Sequence, residues 1–308
     1  FNDAAYDIAP NVAALLAYAQ RLGVEDSAHQ QPLPGMLHFA ETGYVRLEQG
    51  PAVALLDVAP VGPDYLPGHA HADTLSFEMS VYGQRVVVNG GTSRYGLGPE
   101  RLRERGTVAH STVQVAGEDS SEVWGGFRVA RRARPFDLIT REQVGSLIVA
   151  CSHDGYQRLA GQPVHRREWQ FDGSSLLVAD SVNGGKHAAV ARFILHPQVV
   201  VAPEGDGTWR LTLPGGQVLR VAVTTGTARL EPAHYAPEFG KVLPTQCLAV
   251  DLVAGQHAQE RHADAALAAF VDERNPAQQV RLFREPLVDA REEPGVDVVD
   301  DAQVPREQ

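Results

Sequence analysis

The chain has 308 residues and a formal net charge of −11, because 27 Lys and Arg oppose 38 Asp and Glu. No apolar run approaches the roughly 18 to 20 residues that a membrane-spanning helix needs, so we expect no membrane span. The negative balance argues against a dedicated nucleic-acid binder, since neutralising phosphates requires clustered cations, and we expect no nucleic-acid partner.

The first 25 residues predict an amphipathic helix. Apolar residues recur there at three- and four-residue steps, and Gly23 follows as a plausible stop. These residues are Val12, Leu15, Leu16, Ala19 and Leu22. One such helix has nothing to bury its apolar face against unless it belongs to a larger helical unit. We therefore assign residues 1–30 to the end of a helical unit and expect the chain to be part of a longer protein.

After Pro32 the pattern changes to short runs rich in Val, Leu, Ile and Thr, separated by Gly, Pro, Asp and Asn. More than a dozen such runs, with almost no second helix, predict an all-β fold: a large antiparallel β-sandwich of stacked, twisted sheets. We assign this sandwich to residues 31–283. Residues 284–308 are rich in Asp and Glu and poor in large apolar residues, so they predict an acidic disordered tail.

Unusual residues concentrate between positions 68 and 112. In an extended chain His69, His71 and Asp73 point to the same face. Two imidazoles and a carboxylate are a plausible start for a Zn²⁺ site, and His110 is the obvious candidate for a further ligand. The alternative is a solvent-exposed histidine pair at the entrance of a strand, which spacing alone favours because the pattern is short and common.

Four segments resemble the β-sheet domain of heparinase II/III-like polysaccharide lyases. They are GHAHADTLSFE (68–78), VNGG (88–91), TVAHSTV (107–113) and EDSSEVWGGF (118–127). The resemblance is specific over about residues 36–135. The opening helix also resembles the last helix of the (α/α) toroid that precedes this domain in family members.

The resemblance implies roles for particular residues. His69 matches a cleft histidine close to the family's catalytic Tyr, which comes from the toroid, so we expect His69 to be catalytic. His71, Asn89 and His110 match a metal triad whose middle ligand is usually Asp. The expected cofactor is a divalent metal, with zinc favoured. The amide of Asn89 is a weaker ligand than a carboxylate, which puts occupancy in question.

Further residues are candidates for substrate contact. Arg94 and Tyr95 lie where family members place groups that contact substrate. Arg105 could grip carboxylates or sulfates with two parallel hydrogen bonds, and Trp124 could stack on a sugar ring. The alternative for each Arg is a solvated surface cation, whereas Trp124 lies in a Gly-flanked loop that favours a site residue over a core residue.

Strand register restricts how the metal triad can form. If residues 68–73 continued the strand that turns near Tyr82, His71 would lie opposite Tyr95 or Gly96 instead of Asn89. That mismatch is about 20 Å at the rise of a strand. The triad therefore requires residues 68–73 to leave the strand and fold back over the sheet, which Pro67-Gly68 permits.

These observations favour one function and leave a second open. We expect the β-domain of a lyase that cleaves uronate-containing acidic polysaccharide by β-elimination, inactive as a fragment without its own N-terminal helical toroid. The alternative is a non-catalytic carbohydrate-binding or exopolysaccharide assembly module that retains the fold, which Asn89 in place of Asp favours slightly. We expect a bacterial periplasmic or secreted protein whose partner is an acidic polysaccharide.

Overall fold

Antiparallel sheets dominate the fold, as the strand pattern predicts. The computed structural model describes residues 1–6, 8–24, 34–172, 175–205, 207–254 and 262–272, with the backbone alone at residue 254 and at 262–272. These residues belong to one compact unit, Phe1–Asn275. The predicted acidic tail, 284–308, lies outside the described residues.

The opening helix is shorter than predicted. Helix α1 spans Val12–Arg21, and the side chain of Asn11 caps it by accepting a 2.9 Å hydrogen bond from the backbone N–H of Ala14. The prediction of helix from residue 1 is wrong for the described residues before Pro10, which are 1–6, 8 and 9, and Pro10 itself disfavours helical backbone at Ala9. None of the α1 residues is buried, so its apolar side is open to solvent. No helix in the described part of the chain is long and apolar enough to cross a membrane.

A second helix, α2, spans Pro99–Arg105, and a short 3₁₀ helix follows at Thr107–Ala109. The first five strands form one sheet in chain order. They are β1 (Gly35–Phe39), β2 (Tyr44–Gln49), β3 (Ala52–Asp57), β4 (Phe77–Val81) and β5 (Gln84–Val87). The β4–β5 turn consists of Tyr82 and Gly83, both with positive φ, the two-residue geometry typical of tight hairpins.

The remaining strands form two further sheets and a small ribbon. In chain order they are β6 (Val113–Val115), β7 (Val123–Trp124), β8 (Arg128–Val129), β9 (Pro135–Gln143), β10 (Ser146–His153), β11 (Val164–Asp172), β12 (Ser175–Asn183), β13 (Ala189–Ile194), β14 (Val200–Gly205), β15 (Thr208–Thr212), β16 (Val218–Thr225), β17 (Thr227–Glu238), β18 (Lys241–Asp251), β19 (Val253–Ala254) and β20 (His262–Asp272). The largest sheet has the order β14-β15-β16-β20-β12-β11-β10-β9, with β19 beside β20. A four-stranded sheet has the order β17-β18-β13-β6, and β7 pairs with β8.

The sheets pack as a sandwich. The end of β5 is joined to the end of β13 by two backbone hydrogen bonds of 2.9 Å, from Val88 to Ile194 and from His196 to Val86. The sheet of β1 to β5 therefore continues into the four-stranded sheet that contains β13. One hydrophobic core contains side chains of all three large sheets. At its centre the ring of Phe77 on β4 contacts Trp169 on β11 and Phe193 on β13, with centroids 6.4 and 6.1 Å apart. The all-β sandwich prediction is confirmed.

Strand β11 buries alternate residues, and two of them are polar. His165 and Arg167 face inward with Trp169, and neither has any exposed surface. The guanidinium of Arg167 donates from Nε and Nη2 to the two carboxylate oxygens of Asp180 on β12, at 2.7 and 2.8 Å. Burial opposes ionisation of Asp180, but the charge of Arg167 and the hydrogen bond from His165 outweigh it and lower its pKa to about 2.

Arg167 also reaches across the core to two backbone carbonyls. Its Nη1 donates to Leu75 at 2.9 Å and to Ser111 at 2.6 Å. Leu75 has a φ of 62°, a left-handed conformation that costs free energy in a non-glycine residue. One buried cation therefore ties the large sheet to two segments of the opposite layer and helps to hold one of them in an unfavourable conformation.

Replacing Asp180 by Asn should destabilise the fold strongly, because the buried charge of Arg167 would lose its counterion. We expect a loss of about 3 to 5 kcal/mol in the free energy of unfolding, measured by urea denaturation. Asp251→Asn is the matched control, since Asp251 forms a half-exposed ion pair with Arg229 and should cost less than about 1 kcal/mol. Equal losses in the two variants would contradict a structural role for the buried pair.

Candidate functional site

The segment that carries the histidine motif leaves the sheet. Strand β4 begins only at Phe77, and residues 68–76 form a loop that lies against the end of α2. The backbone N–H of Ala72 donates to the carbonyl of Arg105 at 2.8 Å, and the hydroxyl of Thr107 donates to the carbonyl of Ala72 at 2.8 Å. The fold-back that the register argument required is therefore present.

This loop brings three buried side chains together. His71, Asp73 and His110 each offer a ligand atom, and these atoms lie within 4.8 Å of one another. The rings of His71 and His110 are 5.1 Å apart between centroids. Two of the three predicted metal ligands thus meet, and the carboxylate beside them is Asp73, which the shared-face argument had already grouped with His71.

The donor atoms of the cluster fit a cation. Among the residues that the structure describes, none hydrogen-bonds to Nδ1 of His71 or to either ring nitrogen of His110. Buried polar atoms without partners are costly, so such a group of donors favours a ligand between them. Two imidazoles and one carboxylate are a donor set that suits Zn²⁺.

Electrostatics at the cluster point the same way. Burial lowers the pKa of His110 to about 3 and also lowers that of His71, so both rings are neutral, the form that binds metal. Burial and the charge of Asp73 raise the pKa of Asp57 well above its ordinary value. A cation beside Asp73 would offset this repulsion between carboxylates.

Asn89, the predicted middle ligand, has its side-chain oxygen engaged elsewhere. Its Oδ1 accepts a 3.0 Å hydrogen bond from the backbone N–H of Gly91, while its buried Nδ2 has no partner within the described structure. Asp73 is thus the carboxylate that the structure places with the two histidines.

The turn after Asn89 depends on two glycines. The N–H of Gly90 donates to the carbonyl of Ala109 at 3.1 Å, and the N–H of Ala236 donates to the carbonyl of Gly90 at 2.7 Å. Gly91 has a φ of 77°, and a Cβ there would lie 2.0 Å from the carbonyl oxygen of Ala236. This close backbone packing fixes the position of Ala109, the residue before His110.

The predicted catalytic residue lies at the surface beside the cluster. His69 has 61% of its side chain exposed, and its Nδ1 lies 3.4 Å from the hydroxyl of Tyr95. The Tyr95 ring packs edge-on against Phe127 and Phe239, with centroids 5.2 and 5.0 Å apart. His69 and Tyr95 therefore share an exposed aromatic patch, with their ring centroids 5.9 Å apart.

The other predicted contact residues differ in exposure. Arg94 is exposed, and Trp124 is 55% exposed with the guanidinium of Arg128 5.4 Å from its ring. Arg105 has no exposed surface, and its Nε donates to the carbonyl of Ala70 at 3.1 Å. Burial lowers its pKa to about 10, helped by the charge of Arg101. In this structure Arg105 supports the histidine loop from within, and direct contact with a polymer would require it to become exposed.

Sequence reasoning missed Asp3. Its backbone N–H donates to the carbonyl of His69 at 3.1 Å, and its carboxylate is almost fully buried among His69, His71, Thr92 and Arg101. The residues that surround it lie 66 to 98 positions further along the chain, and no periodicity near Asp3 signals the contact.

A family model described as "Heparinase II/III-like, C-terminal" matches residues 31–275. Solved structures share the fold. One of them, titled heparinase III, has a TM-score of 0.69 and 16% identity, and the match covers 88% of this chain and 44% of the heparinase III chain. A heparinase III gene product has a TM-score of 0.68 and 18% identity over 88% and 42%, and heparan sulfate lyase HepC from Pedobacter heparinus has 0.66 and 14% over 84% and 41%. No curated protein sequence matches.

The chain belongs to the heparinase II/III-like family of polysaccharide lyases and contains its C-terminal domain. It spans about two fifths of the length of the solved lyase chains that share its fold.

Substituting Gly91 by Ala should disrupt the turn between Asn89 and the candidate site. The added Cβ would collide with the carbonyl of Ala236, so we expect a loss of more than about 3 kcal/mol in the free energy of unfolding by urea denaturation. Gly83→Ala is the matched control, because Gly83 has a similar φ of 70° but no described atom within 4 Å of an added Cβ. That variant should lose only about 1 kcal/mol, and equal losses would show that backbone conformation alone matters.

Proposed function

We propose that this chain is the β-domain of a lyase that cleaves a uronate-containing acidic polysaccharide by β-elimination. The observation that carries the proposal is the placement of exposed His69, beside the hydroxyl of Tyr95, next to the buried cluster of His71, Asp73 and His110. An open group that can move a proton then stands beside a group of residues that can hold a cation.

The reaction requires a base close to the proton on the carbon that bears the uronate carboxylate. Removal of this proton leaves an electron pair that forms a carbon–carbon double bond, while the bond to the 4-linked oxygen breaks and that oxygen takes up a proton. His69 can accept the first proton or donate a hydrogen bond to the developing negative charge, since an imidazole ring has one acceptor and one donor nitrogen. The hydroxyl of Tyr95 stands beside it in the same patch.

The residues of the buried cluster would hold the proposed divalent metal, with zinc favoured. His71 and His110 offer imidazole nitrogens and Asp73 offers a carboxylate. A bound divalent cation would supply positive charge to the anionic site and fix the folded-back loop. Asn89 would support these three residues indirectly, through the turn that it forms with Gly91.

Substrate contacts are proposed for the exposed candidates. Arg94 can pair with a carboxylate or sulfate, and the rings of Tyr95 and Trp124 can stack on sugars. Arg105, which is buried, would act on the polymer only if the loop opened.

A helical neighbour is part of the proposal. The apolar side of α1 has Val12, Leu15 and Tyr18 exposed, and Leu22 at its C-cap is also exposed, which is a surface suited to packing against other helices. The solved lyases of this fold are about twice as long as the chain. We propose that a toroid of the same protein covers α1 and completes the active site.

Because a polymeric substrate does not cross a membrane freely, we place the protein in the bacterial periplasm or outside the cell, which cell fractionation would check.

A non-catalytic carbohydrate-binding or exopolysaccharide assembly module is the second candidate. Asn89 favours it, because a family that usually has a carboxylate there has here an amide whose oxygen bonds to Gly91. This candidate predicts binding of the polymer without bond cleavage.

Incubating the full-length protein with alginate, glycosaminoglycans and the exopolysaccharide of its own host distinguishes the two candidates. A lyase creates an unsaturated uronate, so ultraviolet absorbance should rise. His69→Ala should reduce the rate by about 100-fold or more, as expected when a group that transfers a proton is lost. His38→Ala, at an exposed strand position, is the control and should keep full activity. Binding of all these polymers without any absorbance rise would favour the non-catalytic module.

A further inference from the structure

We infer that Asp3 is the positioning residue of this site, with one carboxylate that sets the hydrogen placement and orientation of both His69 and His71. The inference rests on the proposed function for the role of His69 and extends it to a residue outside the histidine loop. Asp3 precedes α1, so the segment that leads into the helix would build part of a site on the sheet domain.

The geometry gives each carboxylate oxygen its own histidine. Oδ2 of Asp3 lies 3.0 Å from Nδ1 of His69, and Oδ1 lies 2.9 Å from Nε2 of His71. The backbone N–H of Asp3 also donates to the carbonyl of His69, so main chain and side chain fix the same contact.

Other groups hold this carboxylate in place. Arg101 bonds to both of its oxygens, with Nη2 at 2.6 Å from Oδ2, and the hydroxyl of Thr92 donates to Oδ1 at 3.0 Å. The guanidinium lies 5.1 Å from the ring centroid of Tyr95 and 5.4 Å from that of Phe127. Arg101 has no exposed surface, so the Asp3 carboxylate has little freedom to turn.

Asp3 can act only as an acceptor. Arg101 donates to both of its oxygens, and the hydroxyl of Thr92 donates to Oδ1, so both oxygens already accept hydrogen bonds as a carboxylate does. A carboxylate has no proton to donate. The facing nitrogens, Nδ1 of His69 and Nε2 of His71, must therefore carry hydrogens.

The consequence differs for the two histidines. With its hydrogen on Nδ1, neutral His69 has its lone pair on Nε2, on the far side of the exposed ring, where it can accept a proton from substrate. A carboxylate orients the catalytic histidine of serine proteases in the same way. With its hydrogen on Nε2, neutral His71 keeps its lone pair on Nδ1, the buried atom that lacks a partner in the described structure. Carboxylates commonly orient metal-binding histidines through the second ring nitrogen.

Long-range ¹H–¹⁵N NMR spectra of the histidine side chains, recorded on the full-length protein without added metal, test this role of Asp3. The unmodified protein should show His69 with its hydrogen on Nδ1 and His71 with its hydrogen on Nε2. Asp3→Asn should shift both rings away from a single form and weaken Zn²⁺ binding, titrated calorimetrically, by about 10- to 100-fold. Its kcat on a cleaved polymer should fall with little change in KM. Asp64→Asn, at an exposed pair with Arg132, is the control and should change none of these.

The outcomes separate this inference from the proposed function. Opposite hydrogen positions in the unmodified protein would overturn the inference, whether or not Asp3→Asn folds. Unchanged spectra and Zn²⁺ affinity in a folded Asp3→Asn protein would overturn it as well. Spectra that depend on Asp3 in a protein that cleaves no uronate polymer would support the positioning role and reject the lyase.

Discussion

The rest of the structure depends on the buried ion pair of Arg167 with Asp180 and on the hydrogen bonds that Arg167 donates across the core. A cation inside a sandwich core is costly unless its charge and hydrogens are satisfied. Asp180 satisfies the charge, and the carbonyls of Leu75 and Ser111 accept hydrogen bonds from Nη1. The core can close around this group only if both carbonyls are correctly placed, so the buried ion pair constrains the backbone of the opposite layer.

That constraint reaches the candidate site through sequence neighbours. Leu75 is two residues beyond Asp73, and Ser111 directly follows His110. Fixing these carbonyls therefore fixes two of the three buried donors. The left-handed conformation of Leu75 turns the chain between the histidine loop and strand β4, and the hydrogen bond from Arg167 contributes to maintaining it.

Local patterns predicted the part of the structure that depends on local rules. Strand β11 follows such a rule: its residues alternate between the two faces of the sheet, and the face with His165, Arg167 and Trp169 is buried. Strand register showed that the metal triad requires residues 68–73 to leave the strand, and they do so because β4 begins only at Phe77. Contacts between distant parts of the chain could not be predicted from local patterns. No pattern near Asp3 indicates that it contacts residues 66 to 98 positions away. The sequence around Arg105 likewise does not indicate that this arginine is buried.

The helix prediction failed for a related reason. Its apolar spacing was correct over α1, but the residues before Pro10 follow contacts with the sheet domain in place of helical periodicity. A pattern of side chains reports what a segment can bury and not which distant group it meets. The residues that connect the helix to the site are the ones that a single sequence describes least.

Anomalous diffraction at the zinc edge, on crystals of the full-length protein grown with Zn²⁺, tests most directly whether the folded-back loop builds a cation site. The account predicts one strong peak at about 2.0 to 2.2 Å from Nδ1 of His71, a carboxylate oxygen of Asp73 and a ring nitrogen of His110. Crystals with zinc bound only at other residues, or with an ordered loop and no peak among these three side chains, would contradict it.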